Sequence, residues 1–225
     1  MSKPSFKDHF SGHAADYARH RPAYPDKLFE YLAGITPAQD LAWDCATGSG
    51  QAAHALANYF DQVIATDASA RQIENASPHP AVDYRVEPAE ATSIESNSLD
   101  LITVAQALHW FDRPRFYAEA SRVLRSGGIL GIMHNDRDWR ESTFLAAYER
   151  LLETYGDNYT RDYRCFDIEK ETASVAGLQY QRRMSSRFVL EIARADFAGW
   201  AFTSSKMQNV VGNIGAERVR ELLAE

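Results

Sequence analysis

The chain is poor in cysteine: Cys45 and Cys165 are its only two in 225 residues. They lie too far apart in sequence for any CxxC logic, and a reducing compartment is the expected setting. Long apolar runs are missing, none approaching the roughly 18 residues of a bilayer span. The opening "MSKPSFKDHF" lacks the continuous apolar core of a secretory signal, which makes the cytoplasm the expected location and a membrane an unexpected partner. Positive charge is in deficit, with 24 Lys and Arg against 31 Asp and Glu and a formal net charge of -7. No helix or loop collects a basic stripe, so nucleic acid is not an expected partner. The seven histidines show no HxH or HExxH spacing, which leaves a dedicated metal site without support.

What is present is an ordinary globular composition, 45% hydrophobic and 24% charged, in a length that suits one domain, residues 1–225. The segment 25–34, "PDKLFEYLAG", reads as a helix with Pro25 near its start and Gly34 as its stop. With the segment before Pro22 it would make amino-terminal lid helices over 1–36. An alternation then begins. Strands are predicted at 41–46, 62–67, 82–87, 99–105 and 128–134. Helical periodicity separates them: Ala53, Leu56, Ala57 and Phe60 share one face, and Phe116, Ala120 and Val123 share another within 113–125. Gly127 and Gly128 are expected to close that last helix. This pattern implies a doubly wound, mostly parallel α/β sheet flanked by helices, with ligands bound beyond the carboxyl ends of its strands. It occupies 37–135. Beyond it, Phe144, Leu145, Tyr148, Leu151, Leu152 and Tyr155 mark a long amphipathic helix ended by Gly156, and 136–178 is read as an inserted helical cap. Apolar alternation over 180–192 predicts a return strand, placing a strand and terminal helices in 179–225.

The stretch "LAWDCATGSGQAAHAL" sets a strand against Gly48-Ser49-Gly50-Gln51-Ala52-Ala53, a GxGxxA turn that opens a helix. The helix start offers free N–H groups to an anionic or strongly polar ligand. Asp67, at the end of the next strand, stands where an acid can accept both hydroxyls of a ribose. Together these predict a ribonucleotide-type ligand rather than a plain tight turn. Asp44 separates the candidates. A carboxylate there would repel the pyrophosphate of a dinucleotide, whereas S-adenosylmethionine has no phosphate and carries two positive groups. The simpler role for Asp44 is to hydrogen-bond the turn.

On these residues the chain resembles the class I S-adenosylmethionine-dependent methyltransferases. "DCATGSG" is similar to their DxGxGxG first motif, "VIATDAS" to their second, and "LDLITVAQALHWF" to their fourth strand and its loop. With "Y...RPAYP" near the amino terminus, the type 11 domain is the nearest group, in the small-molecule branch near the trans-aconitate and ubiquinone-type enzymes. Ala46 departs from the pattern, standing where the first glycine of the motif is expected. The resemblance implies a Rossmann-like sheet with S-adenosylmethionine as cofactor and S-adenosylhomocysteine as product. It further implies that Asp44, Ala46, Thr47, Gly48 and Gly50 cradle the methionine end. Asp67 would bind the ribose, Ala68 and Gln72 would flank the adenine, and Ala89 and Glu90 would meet its edge. Gln106 and Ala107 would line the sulfonium and carboxylate region. Tyr17 and Arg21 would come from the lid, Arg21 either pairing with the methionine carboxylate or ending its helix as a solvated cation.

Methyl transfer from a sulfonium is an in-line displacement that rests on positioning and water exclusion. A carboxylate acceptor needs no base, whereas a phenol, an amine or an acidic carbon does. His109 is the candidate base, with packing of the loop as its other role. Trp110 is expected to wall the acceptor pocket. Tyr155, Tyr159, Tyr163 and Phe166 would add an aromatic lining, and Arg137, Arg140, Arg161 and Arg164 would meet an acidic small-molecule acceptor. Two other functions share these motifs: a nicotinamide-dependent oxidoreductase, and a non-catalytic S-adenosylmethionine-binding protein.

Overall fold

The computed structural model describes residues 24–185, 189 and 191–224. Five strands, separated by helices except between β3 and β4, fill the first half of the chain: α1 (Asp26–Gly34), β1 (Leu41–Cys45), α2 (Gln51–Leu56), β2 (Gln62–Asp67), α3 (Ala70–Glu74), β3 (Val82–Val86), β4 (Leu99–Ala105), α4 (Arg113–Val123) and β5 (Leu124–Met133). All strand pairs are parallel, in the order β3-β2-β1-β4-β5. The chain thus works outward from β1 in one direction and returns through β4 in the other, which is the doubly wound arrangement expected from the sequence.

Side chains of β1 and β4 alternate between two cores because successive residues of a strand face opposite sides. Trp43, Cys45, Ile102 and Val104 pack with Phe116, Ala120 and Val123 of α4. Ala42 and Leu101 turn the other way, onto Phe29 and Leu32 of α1 and Ala53 and Leu56 of α2. Trp43 is fully buried yet satisfied, its indole N–H donating to Thr66 Oγ1 at 2.9 Å. Asp112 caps α4 by accepting from the Arg115 N–H, and Pro114 occupies the first turn, where its missing N–H costs nothing.

Three expectations are corrected. Helix α4 ends at Val123 and β5 begins at once at Leu124, ahead of the predicted 128. Gly127 and Gly128 therefore lie inside the strand rather than at a helix stop. Gly127, at φ 81, falls where the β4–β5 register shifts between Leu99 and Leu101. Second, no strand forms among the described residues of 180–192; residues 186–188 and 190 lie outside the described residues. Alternation records a capacity to pair, and here it meets no partner strand: Tyr180, Met184 and Val189 are exposed. Third, the expected cap divides. Residues 24–134 and 166–184 form one compact unit, and 135–165 with 185–224 form a second. Phe166, Ile168, Val175 and Leu178 pack against the Trp43 side of the sheet, carrying the short helix α6 (Ile168–Thr172) with them.

The second unit gathers α5 (Thr143–Tyr155), α7 (Arg194–Phe202), α8 (Ser205–Ile214) and α9 (Ala216–Ala224). Its own core contains Tyr148, Leu152, Phe197, Met207, Val210 and Val219. Ser142 caps α5, accepting from the Leu145 N–H at 3.2 Å. Among the described residues no helix is long and apolar enough to cross a membrane.

Candidate functional site

Parallel pairing brings the carboxyl ends of β1, β2 and β4 side by side, with Cys45 opposite Thr66 on one flank and Val104 on the other. Everything that follows Cys45, Asp67 and Ala105 is thereby delivered to one edge of the sheet.

The loop after β1 is held in an unusual conformation. Ala46, Gly48 and Gly50 all have positive φ, at 57°, 59° and 89°. At Ala46 this costs about 1–2 kcal/mol relative to glycine-like freedom, which is the physical reason a glycine is expected there. A Cβ on Gly48 would meet nothing within 4 Å, so this face of the loop is open. Gly50 is the opposite case: a Cβ would lie 2.3 Å from Tyr84 Oη. That phenol oxygen is buried with no hydrogen-bond partner among the described residues.

Two carboxylates fix the loop. Asp44 is 1% exposed and accepts from Thr47 Oγ1 at 2.6 Å and Thr103 Oγ1 at 2.8 Å. Its carboxyl is pushed up to about 6 from 3.8, chiefly by burial; the two hydroxyls pull it down, and the charge of Asp67 adds to the rise. Asp44 therefore does the simpler of its two expected tasks, organising the turn from beneath. Asp67 ties the loop to the next strand, accepting from the Gly48 N–H at 3.0 Å through Oδ2 and from the Ser69 N–H at 2.8 Å through Oδ1.

Beyond β4, Gln106 also adopts positive φ, at 59°, with its N–H donating to Met133 C=O at 2.9 Å. Both atoms of its side-chain amide are buried with no hydrogen-bond partner among the described residues. An amide buried in this way costs about 1–3 kcal/mol for each polar group left unmade. Gln106 thus combines a strained backbone with an unsatisfied amide.

The other expected residues are distributed as follows. Ala68 is exposed and Gln72 partly buried near the start of α3. Ala89 and Ala107 are buried in the core cluster that contains Trp43. Glu90 accepts from the Asp112 N–H at 2.9 Å, joining the loop after β3 to the start of α4. His109 and Trp110 lie in a single 3-10 turn, Leu108–Trp110, with ring centroids 4.6 Å apart. Trp110 is exposed, and Phe111 packs on the core. Tyr17 and Arg21 lie outside the described residues.

The expected acceptor-binding side chains are distributed over both units. Phe166 belongs to the first unit, beneath the guanidinium of Arg113 at 4.5 Å. In the second unit Arg137 is committed to Glu149 at 2.5 Å and to Tyr159, and Arg161 to Glu153. Arg140 lies over Trp139 at 4.1 Å. Tyr84 and Thr103 were not singled out from sequence. Tyr84 reaches Gly50 only through the β2–β3 register, a long-range fact with no local signal. The hydroxyl three residues past Asp44 was a usable clue to the Thr47 bond.

Residues 43–132 match a family model described as a methyltransferase domain. A Dictyostelium discoideum protein named as a methyltransferase is 41% identical over 162 residues, 68% of this chain and 60% of that protein. An uncharacterized methyltransferase of Mycobacterium tuberculosis is 33% identical over 132 residues, 58% of this chain and 54% of its own. The chain thus spans less than two thirds of the length of both curated relatives. A solved structure from Anaeromyxobacter dehalogenans, named as a type II methyltransferase, is similar over more of its length: 31% identity, TM-score 0.68, 90% of this chain and 86% of that one.

Proposed function

The chain belongs to the class I S-adenosylmethionine-dependent methyltransferases, and on that premise we propose that it transfers a methyl group to a small-molecule acceptor bearing a carboxylate. The observation that carries the cofactor half of this reading is Gln106. Its buried amide has no partner among the described residues, and it stands two residues past Val104 as Thr47 stands two past Cys45, the strand pair that is in register.

The residues at this edge suit the cofactor. The open side of Gly48 admits close approach of a ligand to the backbone. Asp67, at the carboxyl end of β2, is an acid of the kind that accepts vicinal ribose hydroxyls. Gln106 offers both a donor and an acceptor to a zwitterionic methionine end. Asp44, withdrawn beneath the turn, places negative charge where a pyrophosphate would be repelled, which supports S-adenosylmethionine over a nicotinamide dinucleotide. When bound, S-adenosylmethionine supplies a methyl group on a sulfonium, activated for displacement without redox chemistry.

The chain's own task is alignment. Thr47, Asp44 and Thr103 lock the turn, Asp67 couples it to β2, and Gln106 meets the ligand from β4; holding reactants in line can supply much of the barrier reduction. A carboxylate acceptor would ask nothing of His109 as a base, leaving its tilted packing on Trp110 as a wall. The experiment is methyl transfer from methyl-labelled S-adenosylmethionine to a panel of carboxylic acids, phenols and amines. Label recovered as base-labile methyl ester is the expected outcome. Label confined to phenols or amines, lost in His109→Ala, would replace the carboxylate with a base-dependent acceptor.

A further inference from the structure

We propose that Tyr84 is a positioning residue for the cofactor loop, its phenol serving as the stop against which Gly50 rests. Tyr84 lies in β3, paired in register with Ala65 of β2. Two residues further along, β2 ends in Asp67, which accepts from the Gly48 N–H. The β2–β3 pair thus meets the loop twice, by a hydrogen bond at Gly48 and by a steric contact at Gly50. A Cβ on Gly50 would fall on Tyr84 Oη and lie 3.1 Å from both Cε1 and Cζ, whereas one on Gly48 would meet nothing within 4 Å. The space a side chain would take at Gly50 is filled by the end of the phenol.

The ring is held firmly enough to act in this way. It packs on the core that contains Ala52, Ala53, Leu56 and Ala65, and close-packed interiors yield little. Gly50 in turn carries the loop. It precedes α2 in the left-handed conformation, at φ 89° and ψ 15°, accepts from the His54 N–H at 2.9 Å and donates to Thr47 C=O at 3.1 Å. The Thr47 hydroxyl donates to Asp44 at 2.6 Å, so a shift of Gly50 passes to the turn that Asp44 organises. The Tyr84 hydroxyl has no hydrogen-bond partner among the described residues. Burial, and then the charge of Asp44, push it above its usual value, so the group near the loop is a neutral phenol. What it contributes is volume. This role rests on the reading of the glycine loop as the S-adenosylmethionine site.

The test is calorimetric titration of the full chain with S-adenosylhomocysteine in wild type, Tyr84→Phe, Gly50→Ala and the double variant, each with its thermal midpoint. Tyr84→Phe removes the stop without removing a hydrogen bond, so the midpoint should hold or rise while affinity falls by about threefold or more. A tyrosine of purely structural use would give a lower midpoint and intact affinity, which would overturn the proposal. Gly50→Ala sets a methyl where the hydroxyl stands and should weaken binding by about tenfold or more. Adding Tyr84→Phe should restore part of that loss, a departure from additivity that a direct contact produces. Losses that simply add in the double variant would overturn the proposal; if Gly50→Ala does not fold, Tyr84→Phe alone decides. Failure of wild type to bind S-adenosylhomocysteine is a separate result, since it would remove the cofactor site itself and this role with it.

Discussion

Asp44 shows how a single buried acid can be read from both ends. From sequence it marks the strand end before a glycine turn; in the structure its charge is held by two hydroxyls and no cation among the described residues. A carboxyl raised from 3.8 to about 6 favours its neutral form in the folded state. Its contribution to stability is therefore full below its unfolded value and is lost as pH rises through about 6. Asp44→Asn removes the charge while keeping an oxygen acceptor and hydroxyls that can rotate. Relative to wild type, the variant should gain roughly 2 kcal/mol between pH 4 and pH 7, read by urea unfolding across that range. A constant difference between the two proteins would show that Asp44 ionises normally. The candidate site was legible at this scale where local chemistry marked it. Gly48, Gly50 and Asp67 follow strands and have the residue types a turn and a ribose demand. Tyr84 and Thr103 carry no such mark, since only register brings them to the loop.

At the scale of elements, β2 and β4 were readable to their ends because strands buried on both faces appear as continuous apolar runs. The start of β5 was not. Leu124 prolongs the apolar stripe of α4, and the glycine pair resembles a helix stop. Only pairing against Leu99 draws the strand forward to Leu124. Two glycines of β5 test that packing. A Cβ on Gly128 would lie 2.8 Å from Leu99 O, a backbone atom, whereas one on Gly131 would meet the movable Leu32 Cδ2 at 3.3 Å. Gly128→Ala should therefore cost about 2 kcal/mol or more, and Gly131→Ala under about 1 kcal/mol, by denaturant unfolding. Equal costs would contradict the β4–β5 register.

For the whole molecule, the strand–helix rhythm made the sheet legible, but the partition into two units was not. Helical periodicity shows that α5 has an apolar face without saying which later segment covers it. The 185–224 helices do, together with a polar network among Arg137, Glu149 and Tyr159. Glu149 is 2% exposed, so Arg137→Met would leave a buried carboxylate without its cation. The expected loss is about 3–5 kcal/mol, seen as faster hydrogen exchange along α5. Unchanged exchange there would mean the pair carries little of that unit's stability.

The central claim is that the edge formed by the glycine loop, Asp67 and Gln106 binds S-adenosylmethionine. Calorimetric titration of wild type, Asp67→Ala and Gln106→Leu with S-adenosylmethionine, S-adenosylhomocysteine and both nicotinamide dinucleotides tests it most directly. The account predicts binding of both adenosyl ligands, weakened by about tenfold or more in each variant, and none of the dinucleotides. Binding of a dinucleotide alone, or adenosyl affinities that ignore both substitutions, would contradict it.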